Sequence, residues 1–285
     1  MTFQRVAHRG YSAIAPENTL PALAAAVLAG ATFVEFDVRT TVDGVPVVIH
    51  DRTVDRTTDG SGWVWELTLD EVAALDAGSW FSPAYAGLRV PRLSEVLDLL
   101  RPHAAPADIL APEAAAAGVT PPAPPPAGPP AAGPPPAEPA SAGATVELLL
   151  EIKAPATLDQ VKAILGQVAE RDLLERTVVQ SFDPQVVALV LQAAPDVRRG
   201  LLRLRLDAET VPLARELDVI YCNPPLGDVL DDPATVAELI GSGIAVMPWT
   251  ANDIAQWPAL VEAGVAGLIT DRTGELTGWA AAEPS

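Results

Sequence analysis

From residue 146 onward the chain repeats one unit. Strand-like runs at 146–153, 177–181, 201–204, 219–222, 245–249 and 267–270 alternate with helix-like runs at 158–171, 185–194, 209–217, 233–242 and 254–263. Such alternation predicts a parallel sheet with helices outside it, because parallel neighbours need a crossover of about a dozen residues. The first hundred residues fit the same plan. Residues 3–8 form a strand pattern, and 20–29 an Ala/Leu-rich helix pattern closed by Gly30, with Asn18 as the candidate N-cap. A compact excursion rich in Asp, Thr, Gly and Trp covers 52–90, and 93–100 is an amphipathic helix.

The segment 102–143 is different in kind. Fourteen of the 29 prolines fall between Pro102 and Pro139, with Ala and Gly filling most of the rest. Such a composition cannot bury enough side chain to offset ordering, and predicts a disordered or polyproline-like insert. The insert interrupts one domain, since the helix before it and the strand after it suit one continuing repeat. Taking these 42 residues from the 285 of the chain leaves 243, close to the roughly 250 of an eight-stranded barrel. The expected fold is therefore α/β: a (β/α)8 TIM barrel over 1–285, with a small excursion after the second strand and the Pro/Ala-rich insert.

One strand candidate is surplus, and it lies in the stretch FVEFDVRTTVDGVPVVIHD, residues 33–51. Asp43-Gly44 between two β-type runs is a hairpin signal. The second run, 45–49, then folds back antiparallel on the second barrel strand. A turn centred on Asp43-Gly44 sets residues whose numbers add to 87 opposite each other. His50 lands opposite Asp37, and Glu35, Asp37 and His50 converge on one face, with Val34, Phe36 and Val38 on the other. Two carboxylates and an imidazole are expensive to bury without a cation or hydrogen bonds. The alternative is a solvent-facing polar strand face.

Other strand runs also finish on polar or aromatic groups: His8-Arg9, Glu151 with Lys153, Gln180-Ser181-Phe182, Asn223, Trp249 with Asn252, and Asp271. Barrel enzymes build their sites at these C-terminal strand ends. Net charge is −19, which argues against nucleic acid and against stable association with anionic membranes. A phosphate ester remains possible, since a bound cation reverses the local field. The single cysteine, Cys222, excludes an intrachain disulfide framework and a Cys-rich zinc site. No run of 18 apolar residues occurs, so a cytoplasmic location is the expectation; oligomeric state stays open.

In their order along the chain, HRG (His8–Gly10), PENT (Pro16–Thr19), EFDV (Glu35–Val38), DGxPVVxHD (Asp43–Asp51), DRTTDGxG (Asp55–Gly62), LDAGSWF (Leu75–Phe81), EIK (Glu151–Lys153), QSFD (Gln180–Asp183), WTxND (Trp249–Asp253) and GxxGLITD (Gly264–Asp271) resemble the glycerophosphodiester phosphodiesterase family. The resemblance covers the chain outside the insert. It implies a barrel, one divalent cation (Mg²⁺ or Ca²⁺), and hydrolysis of a small glycerophosphodiester to glycerol 3-phosphate and an alcohol. It further implies Glu35, Asp37 and Glu151 as metal ligands, His8 and His50 as the acid/base pair, and Arg9 and Lys153 as phosphate-facing cations. Phe182 and Trp249 would form an apolar wall for the glycerol carbons, and Glu17 and Asn18 would brace the site. Two positions depart from the family's usual pattern: Thr32, where an Asp is frequent, and Arg272, where a Pro is frequent. Two rivals stay open here: a lipid-directed phosphodiesterase of the lysophospholipase D or phosphoinositide phospholipase type, and a non-catalytic binding barrel.

Overall fold

The computed structural model of the chain describes residues 3–101 and 146–282. The insert expected at 102–143 lies outside the described residues. The described residues form nine strands: β1 (Gln4–Ala7), β2 (Phe33–Thr40), β3 (Pro46–Val48), β4 (Glu147–Ile152), β5 (Thr177–Ser181), β6 (Arg198–Leu202), β7 (Tyr221–Asn223), β8 (Ala245–Val246) and β9 (Gly267–Thr270). Eight pair in parallel in the order β8-β7-β6-β5-β4-β2-β1-β9, and β3 lies antiparallel on β2. Ala266 N donates to Val246 O (2.8 Å) and Ile269 N to Pro248 O (3.0 Å), drawing the two end strands together. The fold is a nearly closed (β/α)8 barrel, as the alternation predicts.

Alternation along the strands separates two cores. Outward residues such as Val34, Phe36, Val38, Leu148 and Leu150 pack under the helices. Inward residues Val6, Phe33, Leu149, Val178, Met247 and Ile269 fill the barrel's interior. The next inward positions up β1, β2, β4, β5 and β9 are His8, Glu35, Glu151, Gln180 and Asp271. The barrel is thus plugged with apolar side chains below and floored with polar ones above, the side on which barrel sites form. A third cluster, Val47, Ile49, Val54, Val64, Val72, Ala77 and Val90, gives the 52–90 excursion its own core.

The hairpin differs from its predicted register. Val38 pairs with Val48, Arg39 with Val47 and Thr40 with Pro46, so facing numbers add to 86. Asp37 faces Ile49, whose N–H donates to Asp37 O (3.0 Å). The cause is the turn. Gly44 N donates to Thr41 O and Thr41 N to Val45 O (both 3.0 Å), and Gly44 has φ 83° while Asp43 stays out of the left-handed region. This is a three-residue loop of the type I plus G1-bulge kind, not a two-residue type I′ turn. In this register a continued strand would point His50 outward with Phe36. Instead β3 stops at Val48, and a bend at His50 carries the imidazole into the cavity.

The helix Leu20–Leu28 takes Thr19 as its N-cap; Asn18 sits at φ 58° with its side chain turned to Asp37 instead. The sixth strand begins at Arg198, before the expected 201, and the eighth has two residues, where five were expected. Helices at Leu226–Asp231 and Thr273–Ala282 have no counterpart in the expected pattern. Gly10 of HRG is required by geometry: φ is 80°, and a Cβ there would lie 2.5 Å from the Ala22 carbonyl carbon.

Candidate active site

Glu35 and Asp37 stand two apart on β2 and so share its inward face. Asp37 is directly paired with Glu151 on the neighbouring parallel strand. One oxygen from each of the three carboxylates lies within 4.8 Å of the others, and the residues are 2%, 1% and 5% exposed. Lys153 reaches in from the end of β4, with Nζ 2.9 Å from Asp37 Oδ1 and 2.6 Å from Glu151 Oε1. Arg9 Nη1 donates to Glu17 Oε1 (2.8 Å), Arg9 Nε lies 3.5 Å from Asp37 Oδ2, and the Arg9 backbone N–H donates to Glu35 Oε2 (2.8 Å). Asn18 grips Asp37 twice: its Nδ2 donates to Oδ2 (2.7 Å) and its Oδ1 accepts the Asp37 backbone N–H (3.1 Å).

The electrostatics divide the triad. Burial, reinforced by the neighbouring Asp37 and Glu151 charges, pushes the Glu35 carboxyl well above the carboxylate range. Burial likewise raises Glu151, against the pull of Lys153, to about 7. For Asp37 burial is outweighed by the Lys153 and Arg9 charges, and the carboxyl is held low. Three buried carboxylates with Lys153 and part of Arg9 for compensation make an all-oxygen donor set short of positive charge. That set fits a hard divalent cation such as Mg²⁺ or Ca²⁺.

Both histidines are clamped in the same way. His8 Nδ1 meets Asp271 Oδ1 at 2.7 Å, and His50 Nδ1 meets Asp51 Oδ1 at 2.6 Å. A carboxylate on Nδ1 fixes the tautomer and leaves Nε2 for proton transfer. Each carboxylate is itself anchored. Asp271 accepts from Ser12 Oγ (3.0 Å) and Asn252 Nδ2 (2.6 Å). Asp51 accepts from Arg56 Nε (2.7 Å), and Arg56 also bridges to Glu17 through Nη1 (2.8 Å) and Nη2 (2.7 Å). Burial, then the charges of Lys153 and Arg9, keep His50 below its ordinary value against the pull of Asp37 and Asp51.

These groups border one cavity of about 740 Å³, lined by His8, Arg9, Glu35, His50, Glu151 and Lys153 together with Phe182 and Trp249. The two aromatic rings meet edge to face, 5.5 Å apart, and Trp249 Nε1 donates to Asn223 O (2.8 Å). Asp37, Glu17 and Asn18 lie behind the lining, where their hydrogen bonds place them. The catalytic, metal-binding, substrate-binding and bracing candidates named from the sequence thus lie at this cavity or directly behind it. The sequence reading singles out none of Asp51, Arg56 and Ser12, and names Asn252 and Asp271 as strand ends without a role. An Asp following His50 in sequence is a local signal for its clamp; the pairing of His8 with a residue 263 positions away has none.

A cavity framed by carboxylates, histidines and cations at the C-terminal ends of barrel strands defines a barrel hydrolase of the phosphodiesterase class. The chain belongs to the glycerophosphoryl diester phosphodiesterase family, whose model matches residues 8–120 and 135–275. A glycerophosphodiester phosphodiesterase of Caldanaerobacter subterraneus subsp. tengcongensis is 31% identical over 268 residues, 93% of either chain. Among solved structures, a glycerophosphodiester phosphodiesterase from Agrobacterium tumefaciens superposes with a TM-score of 0.73 at 25% identity, covering 98% of this chain and all of its own. An Oleispira antarctica phosphodiesterase, solved with sn-glycerol-3-phosphate, shares the fold at TM-score 0.76 and 24% identity, over 98% of this chain and 97% of its own. Among the described residues no helix is long and apolar enough to cross a membrane.

Proposed function

We propose that the protein hydrolyses small glycerophosphodiesters to glycerol 3-phosphate and an alcohol in the cytoplasm, with one divalent cation, Mg²⁺ or Ca²⁺, held by Glu35, Asp37 and Glu151. The observation that carries this is the juxtaposition of three buried, charge-deficient carboxylates with two carboxylate-clamped histidines on one cavity. When bound, the cation supplies positive charge to the phosphoryl oxygens. Arg9 and Lys153 face the same group as a guanidinium fork and a point charge. Phe182 and Trp249 offer the glycerol carbons an apolar wall.

His8 and His50 divide the proton transfers between them. One imidazole takes the proton of the glycerol hydroxyl beside the phosphoester as that oxygen bonds to phosphorus. The P–O bond to the alcohol breaks, and the other imidazole protonates the departing oxygen. Water then opens the resulting cyclic phosphate with the two roles exchanged, so both histidines return to their starting state.

The test is a panel of glycerophosphocholine, -ethanolamine, -glycerol and -inositol, assayed for glycerol 3-phosphate after metal stripping and after return of each cation. Turnover should vanish on stripping and return with Mg²⁺ or Ca²⁺. Full turnover by stripped protein would remove the cation from the scheme, and no product from any diester would remove the function.

A further inference from the structure

Two residues on the cavity wall take no part in the scheme above. Arg39 ends the inward face of β2, and Arg52 follows His50 by two residues; both line the same cavity. The neighbouring cations are matched. Arg9 has Glu17 and Asp37, Lys153 has Asp37 and Glu151, and Arg56 has Glu17 and Asp51. Neither Arg39 nor Arg52 forms an ion pair with a described carboxylate, in a chain with 37 acidic residues against 18 basic ones. Arg39 is half-buried on this wall, and its charge has no carboxylate partner there.

The Arg39 guanidinium is also held in place. Its Nε donates to the His50 carbonyl (2.9 Å) and its Nη1 to the Ala154 carbonyl (3.4 Å), so its remaining N–H groups are presented from a fixed frame. Arg52, which is exposed, provides a second, movable fork beside it. The pair comes from the β2–β3 side of the mouth, whereas the Phe182–Trp249 wall comes from the ends of β5 and β8. A cavity of about 740 Å³ is in the range of drug-sized ligand pockets, large enough for a headgroup beside a glycerol phosphate.

We infer that Arg39 and Arg52 form a second anion subsite, which takes a negatively charged group, a carboxylate or a second phosphate, borne on the alcohol side of the diester. This rests on the hydrolysis proposed above and names its substrate class. Cationic headgroups such as choline are disfavoured by the same two charges.

The experiment compares kcat/KM of the metal-loaded enzyme for glycerophosphocholine, glycerophosphoglycerol, glycerophosphoserine and bis(glycerophospho)glycerol, in the parent and in Arg52→Ala, Arg52→Glu and Arg39→Gln. The serine headgroup reports a carboxylate, and the bis compound a second phosphate. The parent should favour at least one of these two over glycerophosphoglycerol, with an advantage that shrinks as salt is raised. Arg52→Glu should lower that ratio by about tenfold or more, the scale of a lost charge-assisted hydrogen bond, and raise relative turnover of the choline compound. Arg52 is exposed, so its variants are expected to keep the fold, checked by circular dichroism, and they stand as evidence even if Arg39→Gln disturbs His50. Ratios in Arg52→Glu within about twofold of the parent for all four diesters would overturn the subsite while leaving the hydrolysis intact. Absence of turnover on all four would overturn both.

Discussion

His8 and His50 reach the cavity from unrelated parts of the chain, yet each carries a carboxylate on Nδ1 and each carboxylate is pinned by further donors. A shared device of this kind serves groups that must hold one tautomer while the other nitrogen exchanges a proton. His8→Ala and His50→Ala are each expected to lower kcat by about 10²–10⁴ with a smaller change in substrate affinity, because acid/base groups act mainly in the transition state. The double variant should be little worse than either single one, since both serve one relay in the scheme proposed above; fully multiplicative losses in steady-state kinetics would separate them. The clamp on His8 also has a pH signature. Burial raises the Asp271 carboxyl, but the hydrogen bond and charge of His8 and the donors Asn252 and Ser12 outweigh it and bring the group to about 2, from an ordinary value of 3.8. A depressed folded-state pKa gives stability that is complete above the unfolded value and is lost as pH falls through the folded one. Urea unfolding of the parent and of Asp271→Asn should therefore differ at about pH 5 and converge as pH approaches about 2. A gap independent of pH would mean that the Asp271 charge is not what holds His8.

At the scale of elements, the β2–β3 hairpin delivers both carboxylates of β2 and, beyond the bend, His50. Its register is pinned on both edges of β3. On one side β3 pairs with β2; on the other, Val48 N donates to Pro91 O (2.8 Å) and Val47 bridges Arg92. Val47 and Ile49 are also fixed in the core of the excursion. One glycine inserted after Gly44 should therefore be absorbed in the loop, at a closure cost well under about 1 kcal/mol, with kcat within about twofold of the parent. Loss of turnover comparable to that of His50→Ala, with circular dichroism unchanged, would show that the loop alone sets the place of His50. Legibility in the sequence follows the range of the interactions. The barrel could be read because strand alternation and βα rhythm are local, and the same alternation sets Glu35 and Asp37 on one face; Glu151 joins them only through the family resemblance. The hairpin register could not, because it turns on whether Asp43 enters the left-handed region, and an Asp-Gly pair suits either loop. Asn18 misleads for a related reason: an Asn before a helix suits a cap, and only the approach of Asp37 redirects it. Arg56, 39 residues from Glu17, carries no pattern that marks it as the tie between that residue and Asp51.

At the scale of the molecule, a net charge of −19 and a cluster of three acids in the barrel mouth both favour a bound cation. We read the chain as one barrel domain, so a ligand joining β2 to β4 acts on the stability of the whole. A cation that binds the folded state alone adds RT ln(1 + [L]/Kd), about 2.7 kcal/mol at a hundredfold excess over Kd. For a domain of this size that is a rise in Tm on the order of 5–10 °C. Glu35→Gln separates this effect from the intrinsic stability of the site. Burial and the neighbouring carboxylates disfavour the Glu35 charge, and a glutamine oxygen can still accept the Arg9 backbone N–H. The metal-free variant should therefore melt at or above the parent temperature, while the rise produced by Mg²⁺ or Ca²⁺ is cut sharply. The two changes have opposite signs, so a general loss of structure cannot imitate them. Calorimetry showing the full cation-induced rise in Glu35→Gln would place the cation elsewhere than on the β2–β4 carboxylates.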